Sequence, residues 1–363
     1  MNRTSVLVVT ALAAVLVLLA FVGQRRTSPA LDDTGTRLVP GLIDSINGVE
    51  RIVVTRAGAD GVATLVRGET GWTVLEKDGY AADTAKIRGM LVALGEAKLV
   101  EEKTSSPEFY DRLGVEPIEL ETASGTAVAI HGATDFPVLI VGSEANSASR
   151  YVRRAEEEQS FLVDRNPDIP RTAAQWLIPD IVDVRGARVE SVTIEHADGA
   201  KLAISKASAD ETNFAVADVP DGRELQYAGV ANVIGNALRE LKLEDAARAH
   251  PEDANLEATT EFRTFDGLAL AVTSSLYEGE PWLSFHAAIE EGPPPNPNTD
   301  SAEDANPSTA AAAEPANGGD ASSNPGQEAE MINARVDGWR YRIPSYQHDQ
   351  LTRRMEDLLK AAE

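Results

Sequence analysis

The sequence predicts an α+β protein: two tandem repeated modules of mainly antiparallel sheet with packed helices, after one N-terminal transmembrane helix. Three observations point there. A run near the start carries no charge from Val6 to Val22. Two stretches, "VERIVVTRAGADG" at 49–61 and "VESVTIEHADGAK" at 189–201, open alike about 140 positions apart. Both are then followed by the same succession of strand and helix signals. A chain of 363 residues is long for one domain and comfortable for two.

The first element is "SVLVVTALAAVLVLLAFVG" at 5–23, with Arg3 before it and Arg25 and Arg26 after. A helix of about 17 residues, at about 1.5 Å each, reaches about 26 Å, enough for a bilayer core. A cleaved signal peptide is the alternative, but Phe21 and Val22 spoil the small-x-small site after Ala20, and Pro29 spoils Ser28-Pro29-Ala30. Residues 1–26 are therefore expected to be an uncleaved anchor. A short tail with everything else downstream places the bulk of the chain outside the cytoplasm. In a Gram-negative cell that is single-pass in the inner membrane, with a periplasmic body.

The first module is expected over 45–180 and the second over 186–363, divided near "WLIPDIVDVRGA" where Pro179 and Gly186 punctuate the chain. In each opening strand the apolar residues alternate: Ile52 and Val54, then Val192 and Ile194. Second strands follow at 62–67 and 200–205, and third strands carry Trp72 and Phe214. Tyr80 and Tyr227 then precede helices whose apolar stripes, Ile87, Leu91 and Leu94 against Ile234, Leu238 and Leu241, lie 147 positions apart. Asp83 is placed to cap the first of these. Beyond them "SGTAVAI" at 124–130 matches "DGLALAV" at 266–272, "PVLIVG" at 137–142 matches "PWLSFH" at 281–286, and "SFLV" at 160–163 matches "RYRI" at 340–343. A final helix, "DQLTRRMEDLLKAA", would align Leu351, Met355, Leu358 and Leu359. Such repetition reads as an internal duplication.

Residues 291–330, rich in proline, glycine, alanine and acid, contain no aromatic, leucine, isoleucine, valine or basic residue. Too little apolar area exists there to offset the entropy of ordering, so a disordered acidic insertion within the second module is expected.

Chemistry is sparse. Acidic residues number 58 against 33 basic, a net charge of −25, which repels nucleic acid and anionic lipid headgroups. With no cysteine there is no disulfide, no thiolate nucleophile, no cysteine zinc site and no lipoprotein anchor. His131, His196, His250, His286 and His348 show no metal-ligand spacing. Nucleophile-elbow, phosphate-loop and dinucleotide motifs are missing, and "GSEANS" at 142–147 lacks the downstream glycine. Acidic runs at Glu101–Glu102 and Glu156–Glu158 read as solvated faces. Recurrent Trp72, Tyr80, Phe214 and Tyr227 read as core aromatics. No catalytic, cofactor-binding or metal residue is assigned, and no cofactor.

The anchor, the strand around Trp72, "YAAD" at 80–83 with its helix, "FYDRLGVEP" at 109–117, and the strands "VLIVG" and "SRYVRR" occur in an order that resembles the bacterial domain of unknown function 4340 family. The likeness spans roughly 45–360. In the second copy "NLEATTEF" at 255–262 stands where the glycine and proline of that turn would be. The resemblance implies a membrane-anchored extracytoplasmic protein, in some members beside an ABC-type transport system, and carries over no catalytic residue. The expected function is that of a non-enzymatic periplasmic accessory protein, with a transporter permease or auxiliary ectodomain as partner. The alternatives are a cell-envelope glycan or ligand-binding module using a cleft, and a hydrolase with a carboxylate pair about 5–9 Å apart.

Overall fold

The two openings that look alike in sequence become strands with alike surroundings. In the computed structural model, which describes residues 35–57, 62–250, 254–289 and 324–361, the chain divides into two units. One falls within Met1–Glu76 and Ala82–Trp176, the other within Lys77–Ala81 and Leu177–Glu363. Among the described residues both are mostly antiparallel sheet with few helices. No described helix is long and apolar enough to cross a membrane, and the expected anchor at 1–26 lies outside the described residues.

In chain order the first part supplies α1 (Leu42–Ser45), β1 (Val49–Thr55), β2 (Val62–Gly68), β3 (Gly71–Val74), β4 (Tyr80–Ala81), α2 (Thr84–Glu96), β5 (Leu99–Glu102), β6 (Thr126–Gly132), β7 (Leu139–Asn146), β8 (Ser149–Arg154) and β9 (Ser160–Val163). The first unit's strands run across the sheet as β3-β2-β1-β6-β7-β8-β9-β5. Alternation puts Ile52, Leu65, Val128, Ile130, Leu139 and Val141 on the core face. The outer edge of β5 is not bare: Leu38 N–H donates to Ala97 O, and Leu99 N–H to Thr36 O. Helix α2 forms where its cap predicted. The Asp83 carboxylate accepts from Lys86 N–H at 3.0 Å, and Ile87, Met90, Leu91 and Leu94 are buried.

The second part supplies β10 (Asp180–Val182), β11 (Val189–His196), β12 (Lys201–Ser205), β13 (Ala215–Val216), α3 (Asn232–Gly235), β14 (Leu241–Lys242), β15 (Asp245–Arg248), β16 (Asn255–Thr264), β17 (Leu268–Tyr277), β18 (Glu280–Ile289), α4 (Pro325–Val336), β19 (Trp339–Arg342) and α5 (Ser345–Leu351). Its eight-stranded sheet runs β13-β12-β11-β16-β17-β18-β19-β15, while β10 pairs with β14 alone. This is the strand order of the first unit. The registers agree too: Ile52 faces Leu65 and Ile130, and Val192 faces Ile204 and Phe262. Even a slip in the ladder recurs, between Val49 and Arg51 and between Val189 and Ser191.

Several expectations need correction. The sheets match β6 to β16 and β7 to β17, so "SGTAVAI" does not correspond to "DGLALAV", nor "PVLIVG" to "PWLSFH". Neighbouring antiparallel strands share a period of two, and a shift by one whole strand leaves that pattern unchanged. "NLEATTEF" is strand β16 itself, not a decayed turn.

The second-copy helix is only one turn, α3. Asn232 ties that turn to the strand before it, its Oδ1 accepting from Phe214 N–H, while Asn232 O takes both the N–H and the Nδ2 of Asn236. A Cβ at Gly235 would lie 2.2 Å from the Phe214 ring, which packs against that glycine. Ile234, Leu238 and Leu241 are buried all the same. Tyr227 is 58% exposed, not a core aromatic, while Trp72, Tyr80 and Phe214 are buried.

The final helix stops at Leu351, and a separate 3-10 turn covers Met355–Leu358. The Leu351 carbonyl accepts from Thr260 Oγ1 instead of continuing the helix, and Thr352 Oγ1 bonds back to His348 O. Of the stretch 291–330, residues 325–330 form the start of α4 and 324 caps it, while 291–323 lie outside the described residues. The Asn324 side chain accepts from Gly326 N–H, and Arg188 holds Glu328 through two hydrogen bonds of 2.9 and 2.8 Å.

Candidate functional site

The nearest approach to a catalytic constellation lies in the second unit, in residues that no sequence pattern linked. Ser274 on β17, Glu257 on β16 and His348 on α5 meet: Ser274 Oγ donates to Glu257 Oε2 at 2.6 Å, and His348 Nε2 lies 2.9 Å from Ser274 Oγ and 3.0 Å from Glu257 Oε2. Serine, histidine and carboxylate are the parts of an acyl-transfer triad. Their arrangement is different. In a triad the acid orients one ring nitrogen while the other nitrogen takes the serine proton. Here a single nitrogen, Nε2, faces both partners, and the serine proton points at the carboxylate. The other nitrogen, Nδ1, is 4.0 Å from Asp349 Oδ1. Ser274 is 2% exposed, so a substrate has no path to its oxygen. The group fastens α5 to the core face of the sheet, satisfying buried Ser274 through the half-buried His348 and Glu257. A nearby bond repeats that role: buried His196 places Nε2 3.2 Å from Arg353 O.

The other histidines do not gather. His131 faces Asp135 at 3.4 Å and His286 faces Asp337 at 3.9 Å, both exposed. His250 lies on the segment after β15. Among the described residues no three histidine or carboxylate groups are placed to hold a metal. Glu101 pairs with Lys103 and Glu157 with Arg154, as solvated ion pairs at the surface.

A second feature is peculiar to the first unit. Between β5 and β6 the chain leaves the sheet, makes a 3-10 turn at Pro107–Arg112 and lays "LGVEP" across the face opposite the core. Tyr110 and Val115 bury Ile140 there, with Leu113 and Tyr151 at the margin. Gly114 has φ +68°, a left-handed conformation that glycine adopts without strain. The approach is close: a Cβ on Gly142 would lie 2.2 Å from Leu113 O, and one on Gly125 2.3 Å from Gly114 O. Arg153 locks the excursion, stacking 4.6 Å from the Tyr110 ring and donating Nε–H to Val115 O at 2.9 Å. Tyr110 donates its hydroxyl to Glu158 O. Burial pushes that hydroxyl's pKa up, against the opposing pull of Arg153. Glu116 is 9% exposed, and its Oε2 is buried with no hydrogen-bond partner.

The second unit has no counterpart to this excursion; only residues 249–254 join β15 to β16. In the segment Lys77–Ala81, which clusters with the second unit, Tyr80 packs edge-on against Trp339 at 4.7 Å and Tyr341 at 6.0 Å. Burial raises the pKa of both tyrosines.

Fold and site together define a protein of twin antiparallel-sheet modules, with a serine–histidine–glutamate cluster among the described residues of the second. The family model described as Domain of unknown function (DUF4340) matches residues 72–259, a little over half of the chain, and the protein belongs to that family. No curated protein and no solved structure matches it.

Proposed function

We propose that this protein is a non-enzymatic accessory subunit, anchored in the inner membrane by residues 1–26, with both sheet units outside the cytoplasm beside an ABC-type transport system. The observation that carries the reading is the uncharged run from Val6 to Val22, bounded by Arg3 and by Arg25 and Arg26. The geometry at Ser274 agrees with it, since the residues best suited to acyl transfer are spent on packing. Two modules of one strand order with different surfaces suit a scaffold that holds more than one neighbour.

Two measurements test this. Alkaline phosphatase fused after Lys360 is expected to be active, and an inactive fusion overturns the location. Purification in mild detergent is expected to bring down transporter subunits; recovery of the chain alone after crosslinking overturns the accessory role.

A further inference from the structure

The shared strand order allows the two sheets to be compared position by position, and one face differs. Because Ile130 corresponds to Phe262, the pairings carry Ile140 to Thr273, Gly142 to Ser275, Arg153 to Ser284 and Tyr151 to Trp282. In the first unit these positions lie beneath the chain's own excursion, with Tyr110 and Val115 on Ile140 and Leu113 above Gly142. In the second unit the matching positions are hydroxyl-bearing or aromatic and the excursion is missing; Thr273, Trp282 and Ser284 are half-buried there, while Ser275, paired with Trp282, is buried.

At one end of that face stands Arg340. Its guanidinium carbon lies 3.9 Å from the Tyr277 ring centre and 5.0 Å from that of Trp282. Its Nε is buried without a hydrogen-bond partner, and no ion pair or hydrogen bond ties the side chain to a described residue. Arg153, on the covered face of the first unit, instead donates to three backbone carbonyls. Among the described residues no carboxylate pairs with this guanidinium. The aromatic stack has already fixed its plane, so a planar two-oxygen acceptor can meet it with little further loss of side-chain freedom.

We propose that the face of the second sheet bearing Thr273, Trp282, Ser284 and Arg340 is a docking surface for an acidic peptide segment of a partner protein, seated by a carboxylate on Arg340. The segment occupies the place that "LGVEP" occupies in the first unit. Arg340 forms the paired hydrogen bonds of an arginine–carboxylate contact, and the hydroxyls meet the peptide backbone. Glu278 and Glu280, exposed at the adjoining hairpin tip, oppose negative charge, a repulsion that the contact with Arg340 has to exceed.

The test uses the full chain in detergent with isotope-labelled arginine and tryptophan. Hexaglutamate, hexaserine, glutarate and inorganic phosphate are each titrated at matched ionic strength. Hexaglutamate is expected to shift the Arg340 side-chain and Trp282 indole resonances saturably. Arg340→Lys keeps the charge but loses the fork, and is expected to weaken that binding by about ten-fold or more with the other resonances unmoved. Glu278→Gln with Glu280→Gln is expected to tighten it. The proposal is overturned if hexaserine or phosphate binds as well as hexaglutamate, or if hexaglutamate produces no saturable shift. Saturation by glutarate at equal carboxylate concentration would overturn the peptide assignment and point to a small free acid. Unchanged binding by Arg340→Lys would remove Arg340 from the site.

Discussion

Between β5 and β6 the first unit makes a long excursion, residues 103–125, that folds back over its own sheet. The second unit crosses the same corner in residues 249–254 and instead departs between β18 and β19, where the first unit has only the turn 155–159. One strand order thus carries additions at two different corners. A backbone lies directly on Gly125 and Gly142, and Ser275 stands where Gly142 would be. The difference teaches that the sheet is the common element and that each unit's surface is determined by where its chain leaves the sheet. Loop tips tolerate such additions because closing a longer loop costs little.

The largest expected effect sharpens that contrast. Gly142→Ala places a methyl group 2.2 Å from a backbone carbonyl and is expected to cost about 3 kcal/mol, by forcing the excursion off the sheet. Ser275→Ala, at the matching position, is expected to stay within about 1 kcal/mol. Denaturant melts with hydrogen exchange read over 107–117 decide the matter; equal costs would break the correspondence between the sheets.

Next is the clamp on α4, which the first unit lacks. Arg188→Ala removes both hydrogen bonds to Glu328 and the 2.8 Å contact to Asp266, and is expected to cost about 1–2 kcal/mol after allowing for solvent screening of these half-exposed groups. Faster exchange confined to Pro325–Val336 is the expected signature. Acid has a smaller version of the same effect. Burial raises the Asp266 carboxyl, but hydrogen bonds from Thr264 and Arg188 outweigh it and hold the pKa below the ordinary carboxylate value. A depressed pKa stabilises the folded state above the unfolded value of about 4, and that stability is lost as pH falls through the folded value. Exchange in α4 is therefore expected to rise below about pH 4, and to rise less in Arg188→Ala.

The smallest effect belongs to the acidic stretch. Deleting 292–322 is expected to change stability by less than about 0.5 kcal/mol. Extending the deletion to 328 removes Glu328 together with the Asn324 cap and the first turn of α4, and is expected to cost more than Arg188→Ala. A cooperative collapse from the shorter deletion would contradict this division.

Much of this architecture was legible in the chain. Ile52 and Val54, with Val192 and Ile194, alternate cleanly because one face of each strand is core, and Asp83 announces a helix by capping it. The later strands were harder to align, since Leu270, Val272, Leu283 and Phe285 repeat one period along adjacent strands. Ile234, Leu238 and Leu241 showed that their residues are buried but not that a helix buries them. The Phe214 ring packed on Gly235 is a contact from outside the segment, which its own periodicity does not record. The cluster at Ser274, Glu257 and His348 was invisible because three elements contribute one residue each. Arg340 was hidden likewise: its two rings come from β17 and β18.

The last described stretch stitches itself through much of the second unit. Leu351 O accepts from Thr260, Arg353 O faces His196, Leu358 O accepts from Gln226 N–H, and Lys360 N–H donates to Glu224 O. During synthesis these partners emerge from the ribosome roughly 90 to 160 positions ahead of the residues that satisfy them. The first unit can therefore close while translation continues, whereas the second must wait for its final turn. Until then, holding it unfolded falls to whatever attends the growing chain.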